Sequence, residues 1–519
     1  MGKLPLMKKS GILLIALLIG FSCAKEDDQS IDEPMEIPAT ELLHQDISLE
    51  LNPSGNAPLA ALAIIQTLEP TSISLSINGK MIREFQTPQS RHTLPVLGLK
   101  PGIQNQLVFT VKQSDSRFAK DTLMLETEPL PDYMPNVHIL QQKVQKMEPG
   151  FTLCELSYGK NGQMIARPFI FDQNGYIRWY LSIESINNFI NPVKRLENGN
   201  WVFGLDRFIY EYDMLGFEVK QWELDGYGQH HDIVELPNGN LLIAATKKDL
   251  QTIEDHIIEL DRNTGIITKV WDLRQIMDND RFDLVWNSRD WLHVNSLWYD
   301  ESDGSILISA RHQAIFKITP DNHLIWILAP HTGWGNAGIN SEGKPTEEFL
   351  LQAVNAAGTT YVSEVQQGLE RALDFDWPWG QHDASLLPNG HILAFDNGFN
   401  RWFQSDETEL HARGVEYAID ENTGRVRQVW EFGQQLGPAF YSRNLGSAGY
   451  LPQTGNRLLC SGNIHYNGFK RAKIIEITVP ESEVVFEANI NFANLHSTGV
   501  DAWGQTDMVY RCTRLSLYP

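Results

Sequence analysis

The sequence predicts an all-β chain: a six-bladed β-propeller preceded by a small immunoglobulin-like β-sandwich domain. Three observations carry this. An apolar strand, a turn with Gly, Asn or Asp, and a strand ending in Trp recur as a unit along most of the chain. A second marker, Leu-Pro-Asn-Gly or a close variant, recurs within the units. Ahead of the repeat lie short alternating strands punctuated by turn residues and closed by a Pro-rich boundary. At 519 residues the chain is too long for one ordinary domain, and a closed ring with an accessory domain accounts for the length.

The N-terminus reads as an address. Lys8 and Lys9 precede the apolar run Gly11–Phe21, too short for a mature span and suited to a signal-peptide core. Ser22-Cys23 at its end resembles a bacterial lipoprotein signal, which implies residues 1–22 as signal peptide and Cys23 as the lipidated residue. Ala24-Lys25-Glu26-Asp27-Asp28 resembles a surface-export signal, and 23–45 reads as an acidic linker. The expected product is a lipoprotein of the bacterial cell envelope, held at the membrane by that lipid. Cys154, Cys460 and Cys512 lie in strand-like segments and are expected as buried thiols; no CxxC motif is present.

The β-sandwich domain spans 46–130. Ser72–Ile77 alternates and runs into an Asn78-Gly79 turn; Gln106–Val111 is a second strand after Lys100-Pro101-Gly102. Pro129–Pro135 marks the boundary, and 135–519 forms the propeller. Its outer-strand markers are Trp179, Trp222, Trp271, Trp326 and Trp430, with Phe486 in the sixth unit. The first steps, 43, 49 and 55 residues, each fit one four-stranded blade. The step from Trp326 to Trp430 is longer and contains an insertion. Asp507–Arg511 is expected to close the ring by pairing with the first blade.

The inner-strand turns bring out a chemical signal. His231 lies five residues before Leu236, and His382 five before Leu387. Asn191 and Gly446 hold the same place, and His293 falls close to it. Inner strands line a propeller's channel, so these blades aim imidazoles at one funnel. Arg311, at the end of an apolar strand, is costly there unless it faces a wet cavity. A guanidinium beside imidazoles suits a tetrahedral oxyanion. It disfavours a metal cation, although a zinc or iron site with three His ligands, in a metal-dependent hydrolase or lyase, stays open. So does a non-catalytic propeller that binds a ligand or protein. With 42 Lys plus Arg against 65 Asp plus Glu, the net charge is −23, which argues against nucleic acid and anionic membrane surfaces as partners.

His230-His231-Asp232, His293-Val294-Asn295-Ser296, Ser309–Gln313, and Gln381-His382-Asp383 with Phe395-Asp396-Asn397-Gly398 resemble the bacterial arylsulfate sulfotransferases. Thr506–Arg511 and Leu517-Tyr518-Pro519 share that resemblance, which covers about 50–519. It implies transfer of a sulfuryl group from an aryl sulfate donor to a phenolic acceptor, without PAPS, a cofactor or a metal. The implied route is ping-pong through a sulfohistidine at His382. His231, His293, Asn295 and Arg311 would hold the sulfuryl oxygens, and Ser447 is a candidate for a further hydroxyl. Two insertions, 272–292 with Trp286 and Trp291, and 331–380 with Trp334, Trp377 and Trp379, are expected on the same rim, as a roof over aryl rings or as loop anchors. Pro345–Leu351 reads as a helix start.

Overall fold

The computed structural model describes residues 35–114, 117–160, 162–184, 190–282, 284–285, 287–404, 410–493 and 506–518. The signal segment, Cys23, the start of the linker and Trp286 lie outside these.

The N-terminal domain is built on two long strands, Ala60–Ile77 and Lys80–Leu97, joined by the tight turn at Asn78 and Gly79. Both turn residues have positive φ, which Asn and Gly tolerate best. The expected strand Ser72–Ile77 is the second half of the first of these. Its first half pairs with Ser48–Leu51, its second with Gln104–Ser114. Register shifts between Gln66 and Ile73 mark the change of partner. Ile65, Leu75, Val96 and Phe109 meet in the resulting core.

Six further antiparallel sheets follow in chain order, the six blades I–VI. The ring is closed twice. Asn136–Gln142 from the N-terminal side becomes the outermost strand of blade VI. Met508–Leu515 from the C-terminus becomes the innermost strand of blade I, pairing with Phe151–Lys160 as expected. Cys154 and Cys512 face each other across that seam with sulfurs 3.2 Å apart, and both are buried free thiols, as is Cys460.

The Trp repeat has a physical cause. Each indole is buried and donates its N–H to the next blade: Trp179 to Met214 O, Trp222 to Arg262 O, Trp271 to Pro320 O, Trp326 to Glu421 Oε1, and Trp430 to Ser482 Oγ. A large apolar surface with one directed donor pins neighbouring blades in register. Phe486 carries no N–H and instead stacks on Phe171 of blade I, 6.5 Å between centroids.

One local expectation is corrected. Pro345–Leu351 does not start a helix; Thr346–Phe349 makes a single 3-10 turn. Leu350 and Leu351 are buried, and Leu350 bridges to Ile327 of blade IV, so burial draws the chain into extended pairing. The C-terminus also ties the domains together: Tyr518 Oη accepts from Leu97 N at 2.9 Å and donates to Pro95 O at 3.1 Å.

Candidate active site

The inner strands of three consecutive blades enter the ring with an irregular step. Gln229 and Ile233 bracket a register shift in blade III, Val294 and Ser296 in blade IV, His382 and Ser385 in blade V. His231, His293 and Asp383 have φ of 54°, 58° and 55°. Such left-handed backbone costs about 1–3 kcal/mol per non-glycine residue and persists where surroundings impose it.

Backbone hydrogen bonds between blades define the register. Asp232 Oδ2 accepts from Leu297 N, Ser296 Oγ from Ala384 N, Asp383 Oδ2 from Ala448 N, and Ser447 Oγ from Cys512 N. Each acceptor receives an N–H from the next inner strand. The residue before each acceptor is therefore equivalent around the ring: His231, Asn295, His382 and Gly446. Tyr510 holds the same position in blade I, two residues before Cys512. The equivalent of His231 in blade IV is thus Asn295; His293 lies two residues earlier. Gly446 (φ 144°) is forced in blade VI, since a Cβ there would sit 2.4 Å from the Phe395 ring. In blade I the acceptor position is Arg511, which cannot accept, and Glu155 Oε2 takes the Val193 N–H instead.

The His-Asp dipeptides follow from this. Asp232 and Asp383 turn away from the imidazoles onto Arg511, at 3.0 and 3.2 Å, and Lys194 adds a contact to Asp232 at 2.9 Å. His231, His293, His382 and Arg311 line one cavity of about 370 Å³, with Asn191, Asn444 and Leu445. His230 lines it too, its ring centroid 3.6 Å from that of His231. A cleft of about 530 Å³ lies against Lys194, Asp232 and Asp383 and contains no histidine.

His382 is buried and in hydrogen-bond contact with Asn397 Oδ1 at 2.7 Å. The Asn397 amide donates to Ser442 O and Leu445 O, so its oxygen is the end left to face the imidazole. Nδ1 of His382 must then carry the proton and Nε2 the lone pair. Burial, and next Arg311, push the His382 pKa well below the usual histidine value. His382 is a neutral imidazole with a fixed tautomer.

His293 is the opposite case. Burial alone would lower its pKa, but Glu254 at 2.7 Å and Asp290 at 2.9 Å on Nδ1 outweigh that and raise it to about 9. Its Nε2 lies 3.3 Å from Nε2 of His231. Burial lowers the His231 pKa well below normal, and the neighbouring imidazoles His230 and His293 add to it. A protonated His293 thus donates to a neutral His231. The second His231 nitrogen meets Asn191 at 3.3 Å. Turning that amide would give the unpartnered Asn191 Oδ1 the His231 Nδ1–H. Tyr510 stacks on His231 and meets His382 edge-on, 5.2 and 6.3 Å between centroids.

Arg311 has no ion-pair partner among the described residues, and its Nε is unpartnered. It is the cavity's free cation. Donor atoms of His230, His231, Glu254 and His293, and of Asp290, His293 and His312, also cluster within 4.8 Å. An ion in either cluster would have to displace the His293 proton, which Glu254 and Asp290 hold, and would be repelled by the Arg311 guanidinium of the same cavity.

Several expected placements differ. Asn295 is fully buried and is not among the lining residues: its Nδ2 donates to Gln381 O at 2.7 Å, and its Oδ1 is unpartnered. Ser447 is spent on the inter-blade bond and faces away from the cavity. The described rim tryptophans anchor loops and are not among the lining residues. Trp291, Trp377 and Trp379 are buried and donate to Asp255 Oδ2, Val365 O and Asp376 Oδ1, while Trp334 donates to Pro330 O. Glu254, Asp290, Asn397 and Tyr510 escaped sequence reasoning. Tyr510 and Asn397 had legible signals, their places in the closing strand and in the Phe395–Gly398 motif.

The family model of arylsulfotransferase (ASST) matches residues 112–502, well over half of the chain. The chain belongs to that family. The family's immunoglobulin-like domain matches residues 48–128. Arylsulfate sulfotransferase AssT of Escherichia coli O6:H1 strain CFT073 is 28% identical over 543 residues, covering 85% of this chain and 89% of the relative. Arylsulfate sulfotransferase AssT of Lelliottia amnigena is 27% identical over 495 residues, covering 76% and 81%. One cavity of this arylsulfotransferase thus combines a neutral, oriented imidazole, a protonated one and an unpaired guanidinium. Among the described residues no helix is long and apolar enough to cross a membrane.

Proposed function

We propose that this arylsulfotransferase moves a sulfuryl group from an aryl sulfate to a phenol in two steps through a sulfohistidine at His382. The observation that carries this is the Asn397 contact. It leaves Nε2 of a neutral imidazole as the free lone pair in the cavity. Nε2 attacks sulfur, and the bond to the aryl oxygen breaks. His293 protonates the leaving phenolate, directly or through His231. The His382 ring keeps its Nδ1–H, so the sulfurylated ring is an imidazolium and a good leaving group. An incoming phenol then returns its proton to the His293–His231 pair, its oxygen attacks sulfur, and the N–S bond breaks. Arg311 holds the sulfuryl oxygens through both steps. Asn295 acts on the Gln381–His382 backbone as a positioning residue.

The test is mass spectrometry of donor-treated protein, worked up at neutral pH. A sulfuryl adduct is expected on the His382 peptide, and its appearance on another residue would overturn the assignment. A pH profile tests the acid. Donor cleavage needs protonated His293, so kcat/KM for the donor should hold below about 9 and fall as pH rises through that value. Glu254→Gln removes one of two charges that hold the proton, and should move this limb down by about 1–2 pH units. An unmoved limb would assign the acid elsewhere. A metal-dependent hydrolase would need an ion to take the place of the His293 proton and to sit in the same cavity as the Arg311 cation.

We further read Cys23 as a lipid anchor for the enzyme. Cys23→Ala should shift the protein from the membrane to the soluble fraction, and unchanged fractionation would sink that reading.

A further inference from the structure

Beside the cavity lies a second guanidinium that the two-step reaction does not use. Arg443 is exposed, and its guanidinium carbon lies 4.7 Å from the centre of the Phe399 ring. The Arg311 guanidinium lies 5.2 Å from the same ring. Phe399 thus joins the sulfuryl-binding arginine to one at the rim. Its place is fixed by the strand entry that bears the nucleophile: Phe399 N donates to Trp379 O, and a Cβ on Gly380 (φ 61°) would sit 2.7 Å from Phe399 Cβ. Arg443 is fixed from the other side. Its neighbours Ser442 and Leu445 give their carbonyls to the Asn397 amide that orients His382, and Asn444 and Leu445 line the cavity.

Arg443 has no carboxylate or hydrogen-bond partner among the described residues. The two like charges share one aromatic ring, and neither has an ion-pair partner among the described residues. The protein carries a net charge of −23, so carboxylates are abundant. The mouth nevertheless keeps this cation free, which is the arrangement of an anion site with its ligand away.

We propose that Arg443, seated on Phe399, is a specificity residue that selects phenolic acceptors bearing a second, anionic group such as a carboxylate across the ring from the reacting hydroxyl. This rests on the transfer reaction proposed above. The hydroxyl would meet sulfurylated His382, the acceptor ring would lie along the cavity beside Phe399, and the carboxylate would reach Arg443.

The test uses the full chain with saturating 4-nitrophenyl sulfate and two matched acceptors, 4-hydroxyphenylacetate and its neutral methyl ester. Wild type should favour the acid in kcat/KM. Arg443→Ala should lower the acid-to-ester ratio about tenfold, with Arg443→Glu lower still and Arg443→Lys partly restoring it. Added salt should erode the wild-type preference. An acid-to-ester ratio unchanged in both Arg443→Ala and Arg443→Glu would overturn the proposal. If wild type sulfates neither acceptor while the His382 adduct forms, the acceptor class is wrong; if no adduct forms, the reaction proposed for the site fails first.

Discussion

His382→Ala is expected to lower 4-nitrophenyl sulfate turnover by about 10⁴–10⁶-fold, the scale on which removal of a covalent nucleophile acts. The loss should fall on kcat, because the ring's contribution lies in bond formation. The buried contact to Asn397 would be lost with it, so folding must be checked by thermal melting. A sharper companion is Asn397→Asp. A carboxylate beside Nδ1 would raise the His382 pKa and favour the protonated ring, which has no lone pair at Nε2. Activity of that variant should therefore recover as pH rises, on an acid limb absent from wild type. Full turnover in His382→Ala would move the nucleophile to another imidazole.

Arg311→Ala should cost about 10²–10³-fold in kcat/KM, the usual price of one donor aimed at developing oxyanion charge. Because this guanidinium has no ion-pair partner among the described residues, the fold gains little from its charge. The variant should melt no lower than wild type, in contrast to a buried, ion-paired arginine such as Arg413, which meets Asp396 at 2.8 Å. Arg311→Lys should recover only part of the loss, since a point charge lacks the planar fork. A large fall in melting temperature with modest kinetic change would mark Arg311 as structural instead.

How far the sequence reached depends on the kind of signal. The Trp markers were readable because each indole performs the same inter-blade task, so the same residue recurs at the same place. The His231 and His382 register was readable for the same reason. His293 was not a true equivalent: a bulge at Asn295 places Asn295 in register and lets His293 reach the cavity from two residues upstream. Bulges change which residue faces which way without altering the turn signals that were counted. Glu254 and Asp290 lay beyond reach because each belongs to a loop outside the inner-strand repeat, and Asn397 was visible as a motif residue while its contact with His382 was not. Glu254 meets both His230 and His293, and Asp290 meets His293 from the preceding loop.

The sequence by itself determined the all-β class, the ring with its small leading β domain, and the convergence of His231, His293, His382 and Arg311 on one mouth. Periodic burial and repeated turns are local properties, and a closed ring turns equal local positions into spatial neighbours. Only the tertiary structure decided the protonation states that give those residues different chemistry. A neutral His382 and a cationic His293 are the same side chain, and what separates them is burial beside Arg311 for one and two carboxylates on the other. Proton affinity depends on the surrounding charges and solvent access, which the fold alone brings together.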